Sequence, residues 1–298
     1  MSILQIEHCT ICYQNGASAV SDVSLSAEQG EIISIVGECG SGKTTLIRAI
    51  LGLLPPGGRV TEGKILFDGR DLVKLSEKQM EDLRGRDIAM IFQDVGTSMD
   101  PIRKIGSQYR ESIAVHERMS AEAYRSKAVT MLKHMQLTDT DRIMDAYPFE
   151  LSGGMKQRVG IAMGMTARPR LLLADEPTSA LDVTIQAQVV RQMRQLRDEY
   201  GATIILVTHN MGVASYLSDR IGVMCRSRMV EFGARDEIIF HPKEQYTRDL
   251  LDAVPKLGGK RYAKKRDSSG RIARQQAVPR QEAAAPRRQR RLPDPVAG

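Results

Sequence analysis

The sequence lacks any apolar run near the ~20 residues that a membrane-spanning helix needs, so a soluble globular chain is expected. Its first residues, MSILQIEHCTICYQ, show no basic stretch followed by an apolar core, which argues against a secretory signal. Cysteine is scarce: four in 298 residues, in no disulfide-like pattern, as suits a reducing cytoplasm. Cys9 and Cys12 form one CxxC, but no second ligand pair is spaced to complete a zinc site, and both read as strand residues. No heptad repeat is sustained over several turns. The body also lacks basic charge. The last 43 residues hold 13 Lys or Arg against three Asp or Glu, so the +7 of the whole chain leaves residues 1–255 at −3. That argues against a nucleic-acid-binding core.

What the sequence does have is GECGSGKTT at 37–45: Gly37, Glu38, Cys39, Gly40, Ser41, Gly42, Lys43, Thr44 and Thr45. An apolar, strand-like run at 32–36 precedes it and a helix-like run from Thr44 to about Leu53 follows. That is the context a phosphate-binding loop requires. Glycines let the backbone approach a phosphate chain, and successive N–H groups with the helix N-terminus then face the anion. Lys43 would reach the β- and γ-phosphates, and the Thr44 hydroxyl would ligate Mg²⁺.

The remaining pattern is α/β. Residues 3–9 alternate like a strand, and 22–31 reads as strand, turn, strand. A strand at 64–67 closes at Asp68-Gly69, Ser76 and Gln79 form a capping box, and 88–92 is an apolar strand ending at Gln93. Residues 94 to about 150 read as a mostly helical insertion, with Ala128, Leu132 and Met135 on one helix face; the inserted subdomain as a whole is placed at about 94–160. Ser152 is a fair N-cap for a helix opened by Gly153 and Gly154. The unbroken apolar run 171–174 before Asp175 and Glu176 suits a central strand buried on both faces. A helix with Ile185, Val189, Met193 and Leu196 on one face stops at Gly201, and a strand at 203–207 ends at Thr208-His209. From about 258 the chain is rich in Lys, Arg, Gln, Ala and Pro and is expected to be disordered; its Arg clusters suit anionic lipid or RNA, or simply a solvated tail.

These residues supply the parts of a nucleoside triphosphatase. Asp175 would hold Mg²⁺ directly or through water, beside Thr44. Glu176 would polarise the attacking water, Gln93 could touch both Mg²⁺ and water, and His209 could donate to the γ-phosphate. All follow strand ends, where open α/β sheets bind ligands.

Together they resemble the ATP-binding subunit of an ABC transporter. Residues 37–45 match the Walker A loop, Gln93 the Q-loop, Leu151-Ser152-Gly153-Gly154-Met155 the signature motif, and 171–175 with Glu176 Walker B and the catalytic carboxylate. Ser179-Ala180-Leu181-Asp182 match the D-loop, His209 the switch histidine, and Tyr13 the aromatic residue that stacks on adenine. The resemblance covers about 3–255. It implies an α/β P-loop NTPase core of RecA-like type: a mainly parallel sheet, an antiparallel β subdomain and an inserted α-helical subdomain. It also implies a head-to-tail dimer in which each ATP lies between one Walker A loop and the other subunit's Ser152-Gly153-Gly154 and D-loop, Asp182 included. The helical insertion would receive coupling helices of the membrane subunits.

Phe92-Gln93-Asp94 with Pro101, Tyr147-Pro148-Phe149-Glu150, and His241-Pro242 followed by Tyr246-Thr247 resemble the oligopeptide, dipeptide and nickel importer branch. That implies an ATP-binding domain at 1–240, a branch-type C-terminal segment at 241–257 and the basic tail at 258–298. It implies as partners a second, different ATPase, two permeases and an extracytoplasmic binding protein, with no nucleic acid and a peripheral place on the cytoplasmic face of the inner membrane. Peptide is the expected cargo, nickel or a metal chelate the alternative. A soluble ABC ATPase of translation or repair is disfavoured by the single cassette and the short gap between Walker A and signature. Some residues depart from the pattern: Val95-Gly96 and Met99-Asp100 after the Q-loop, Cys39 for a serine, and Asn210 for an aspartate. No cysteine follows Cys225, so the iron–sulfur cluster thought to occur in some branch members is not expected.

Overall fold

Alternating apolar residues build the first of two sheets. In the computed structural model, which describes residues 2–254 except 15 and 180, β1 (Ser2–Cys12) and β2 (Ser18–Glu28) pair antiparallel. The alternation of β1 slips between Ile6 and Cys9, where His8 takes φ 49°; this bulge returns Cys9 and Ile11 to the buried face. β3 (Ile32–Val36) is buried throughout and feeds the loop before α1 (Lys43–Ile50). That helix ends three residues short of the expected Leu53, because the chain turns at Gly52, φ 64°. β4 (Arg59–Phe67) and β5 (Arg70–Asp71) complete the sheet in the order β2-β1-β4-β5, joined by the left-handed pair Asp68 and Gly69. β4 starts five residues before the expected 64. Its polar first half shows no apolar pattern and is a strand because it pairs with β1.

The capping box holds: Ser76 and Gln79 cap α2 (Glu77–Leu83) reciprocally. β6 (Ile88–Ile91) leads into the helical insertion, α3 (Val95–Ser98), α4 (Ile105–Ala114), α5 (Ala121–His134) and α6 (Thr140–Asp145), followed by α7 (Gly153–Met165). Ala128, Leu132 and Met135 share one core with Tyr109, Val159 and Met165. Tyr109 is fully buried, its hydroxyl 2.5 Å from Thr166 Oγ1, and burial pushes its pKa well above that of an ordinary phenol.

β7 (Leu171–Asp175), α8 (Val183–Tyr200), β8 (Thr203–Thr208), α9 (Met211–Leu217), β9 (Arg220–Cys225) and β10 (Arg228–Ala234) finish the second sheet. Its order is β10-β9-β3-β8-β7-β6, parallel except for β10. Successive residues of its central strands enter different cores. Ile204 and Leu206 pack with Tyr109 and α7, whereas Ile205 and Val207 pack with β1 and α1. Both faces are covered, which explains strands without polar alternation. α10 (Arg235–Phe240) and α11 (Gln245–Asp252) follow, packed on a smaller core of Val36, Ile221, Val223 and Ile238. The α/β class expected from the sequence is the one found. The basic tail expected at 258–298 lies outside the described residues.

Candidate nucleotide site

Strand register brings the singled-out residues to one edge of the second sheet. Val36 of β3 pairs with Thr208 of β8, Val207 with Asp175 of β7, and Ala174 with Ile91 of β6. Gly37, His209, Glu176 and Gln93 all follow at that carboxyl edge.

The loop after β3 is shaped by its own glycines. Gly37 has φ 152°, and a Cβ there would fall 2.1 Å from the Met224 carbonyl oxygen. Gly42, φ 100°, would place one 2.2 Å from the Ala19 carbonyl oxygen. No side chain caps α1, whose N-cap is Gly42. Its first N–H groups are therefore left to face an anion. Lys43 arches over the loop, Nζ donating to the Gly37 carbonyl at 2.8 Å and the Glu38 carbonyl at 2.7 Å. Burial pushes its pKa down, opposed by Glu176, Cys39 and Asp175. Cys39 is exposed.

The carboxylates sit beside it. Thr44 Oγ1 donates to Asp175 Oδ1 at 2.9 Å, and Asp175 is 1% exposed. Burial raises the Asp175 pKa, opposed first by that hydrogen bond and then by the Arg48 and Lys43 charges. Glu176, 8% exposed, takes φ 43° and donates its N–H to Val207. Its Oε2 lies 2.9 Å from His209 Nδ1. An ionised carboxylate only accepts, so Nδ1 carries the proton in that bond. Asn210 caps α9 through Gly212 and Val213 N–H, so the amide in place of the expected aspartate still closes the helix.

The donor set fits Mg²⁺. Two hard oxygens, half-buried Thr44 Oγ1 and buried Asp175 Oδ1, lie together beside a loop of N–H groups. Among the described residues no group of three or more His, Cys, Asp or Glu could hold a metal unaided. Mg²⁺ suits such a place, since it takes one or two protein oxygens and completes its shell with water and phosphate.

The other expected residues lie outside this cluster of bonds. Gln93 is exposed. Tyr13 lies just past β1, where its N–H bonds the Ala17 carbonyl in the turn leading to Ala19, whose carbonyl abuts Gly42; its ring borders Gly58. Ser152 caps α7, accepting from Met155 N–H at 3.3 Å, while Gly154 lies against Ile185. Asp182 caps α8 through Thr184 and Ile185 N–H at 3.0 Å. Among the described residues no hydrogen bond ties Ser152, Gly153, Gly154 or Asp182 to the 37–45 loop. Sequence reasoning missed two contacts, the Glu176–His209 pair and a bond from Glu38 N–H to the Tyr246 hydroxyl at 3.0 Å. Tyr246 was visible only as part of a C-terminal motif, with nothing to tie it to the loop.

Comparison with known proteins follows the same lines. The sequence profile of the ABC transporter family matches residues 20–179. The oligopeptide transport ATP-binding protein OppD of Bacillus subtilis (strain 168) is 45% identical over 82% of this chain and 69% of its own length. The dipeptide transport ATP-binding protein DppD of the same organism is 41% identical over 86% of this chain and 77% of its own. A dimeric ATP-binding cassette solved with ADP and phosphate superposes with TM-score 0.71 at 29% identity, covering 78% of this chain and 98% of that one. The chain belongs to the ABC transporter family as an ATP-binding cassette, and it is an ATPase.

Proposed function

We propose that the chain is the ATP-hydrolysing subunit of a peptide importer, held at the cytoplasmic face of the inner membrane by permease subunits. The observation that carries the chemistry is the pairing of Thr44 with Asp175 and of Glu176 with His209 at the end of the loop. The peptide cargo rests on the relatives, which are oligopeptide and dipeptide transport proteins by name.

In this reading the N–H groups of 39–44 and the Lys43 ammonium bind the phosphates, trading the Gly37 and Glu38 carbonyls for phosphate oxygens. Thr44 and Asp175 would hold Mg²⁺, which would supply positive charge to the phosphates. Glu176 accepts the proton of the attacking water as the new bond to the γ-phosphorus forms and the bond to ADP breaks. His209, released from Glu176, turns its imidazole toward the γ-phosphate. Tyr13 would stack on the base, and Gln93 would assist at the metal site and the water. Ser152, Gly153, Gly154 and Asp182 act on the nucleotide of a second ATPase subunit, in keeping with Ser152 and Asp182 side chains that cap helices in this subunit.

Among the described residues no helix is long and apolar enough to cross a membrane, so transport needs membrane partners. A cavity of about 370 Å³ between β6 and the helical insertion, lined by Phe92, Val95, Met99, Ile113 and Met163, offers an apolar seat for a permease helix. The test is affinity purification of the tagged protein from gently solubilised membranes, with mass spectrometry of what accompanies it. Two permeases, a second ATPase and a peptide-loaded binding protein are expected. Recovery with ribosomes or DNA and no membrane protein overturns the importer reading.

A further inference from the structure

We infer that Tyr246 is a positioning residue for the phosphate loop, and that the C-terminal segment thereby sets the affinity for ATP. The inference rests on the nucleotide-binding role proposed for the loop. It begins with one peptide group. The Gly37 carbonyl accepts from Lys43 Nζ at 2.8 Å, and the N–H of the same peptide, that of Glu38, donates to Tyr246 Oη at 3.0 Å. A trans peptide is planar, with its C=O and N–H pointing in opposite directions. A hydroxyl that fixes the N–H on the outer side therefore fixes the carbonyl on the inner side, toward Lys43. Gly37 cannot supply that constraint by itself, because it has the widest backbone freedom in the chain's repertoire.

The phenol is itself firmly seated. Its ring packs against the core of Val36, Ile221 and Val223, and Val36 is the residue just before Gly37. The next residue, Thr247, is fully buried and donates to Glu231 Oε2 at 2.6 Å. Glu231, on β10, also accepts from Lys243 N–H at 2.8 Å and Glu244 N–H at 3.3 Å. Burial pushes the Glu231 carboxyl up, but the Lys243 N–H and Thr247 hydroxyl outweigh it, and its pKa lies below the usual value. A carboxylate on the sheet edge thus pins residues 243–247, the pinned turn presents the phenol, and the phenol holds a peptide 208 positions earlier in the chain.

Tyr246 touches no group that reacts. Its loss leaves the loop more states to abandon on binding, so it weakens binding and spares the chemical step. The full chain is compared with Tyr246→Phe and Tyr246→Ala, with Lys43→Ala as control, using Mg-ATP titration, steady-state hydrolysis and amide hydrogen exchange. For Tyr246→Phe the dissociation constant and KM for ATP rise about 3- to 10-fold, the share of one hydrogen bond. Its kcat stays within about twofold, the signature of lost binding rather than lost catalysis. Exchange quickens in peptides covering 37–42 and not in those covering 32–36. Wild-type affinity and exchange in Tyr246→Phe overturn the inference, and so does a loss seen only in Tyr246→Ala, which assigns the effect to ring packing. If Lys43→Ala is crippled while Tyr246→Phe is normal, this inference alone fails. If Lys43→Ala binds ATP like wild type, the loop reading fails and takes this one with it. Should Tyr246→Phe melt early, Glu231→Gln loosens the anchor with the phenol intact and must raise KM in the same way; an unchanged KM overturns the proposal.

Discussion

Gly37 and Gly42 on one side, and Gly153 on the other, lack side chains for different reasons. A Cβ at Gly37 or Gly42 would strike a carbonyl oxygen of this same chain at 2.1 or 2.2 Å. A Cβ at Gly153 would meet nothing within 4 Å. The phosphate loop is also bonded inward, through Lys43 and Thr44–Asp175, whereas among the described residues Ser152 bonds only its own helix. The first region needs glycine to fold. The second has open space where a side chain would stand, which fits the proposal that a second subunit's nucleotide packs there.

Substitutions at the two regions should have different effects. The largest effect is expected for Glu176→Gln: ATP turnover falls about 10²- to 10⁴-fold while ATP remains bound and the closed dimer accumulates, as gel filtration with radiolabelled ATP will show. Normal turnover removes the assignment of the general base. Lys43→Ala costs about 10- to 100-fold in ATP affinity, the range for hydrogen bonds to charged groups; calorimetric titration reads it. Gly37→Ala loses about 2 kcal/mol or more of stability, from left-handed strain and the carbonyl clash, measured by urea unfolding.

Gly153→Ala sharpens the contrast most. Its melting temperature stays that of the wild type, since the space is open and alanine suits a helix, yet hydrolysis falls roughly tenfold through misplacement of the partner's nucleotide. A stable and fully active Gly153→Ala dissolves the distinction. The smallest effect concerns the thiols. Burial pushes Cys9 up to about 11, while Cys39 is exposed. An alkylating reagent near pH ~8 therefore modifies Cys39 well before Cys9, Mg-ATP protects Cys39, and Cys9 gains reactivity only as pH climbs toward its raised pKa. Mass spectrometry of the labelled peptides decides it.

The loop, the buried strands and the succession of strands and helices along the chain could be read from residue pattern, because apolar runs and glycine spacing are local signals. What could not be read depends on pairing across the fold. The polar half of β4, Arg59 to Glu62, is a strand through β1 alone. His209 was placed on the γ-phosphate, and its hold on Glu176 depends on β8 lying beside β7. Tyr246 belongs to the loop only because β9 and β10 carry the C-terminal turn back to β3.

Glu176 has a consequence for how this protein can change. A side-chain-bearing residue at φ 43° is strained by about 1–2 kcal/mol relative to glycine. Selection for heat resistance alone would therefore favour Glu176→Gly, and with it the loss of the carboxylate proposed to ready the water. Robustness and turnover compete at this one position. A laboratory lineage evolved only to survive boiling would be expected to end as a well-folded protein that binds its fuel and never burns it.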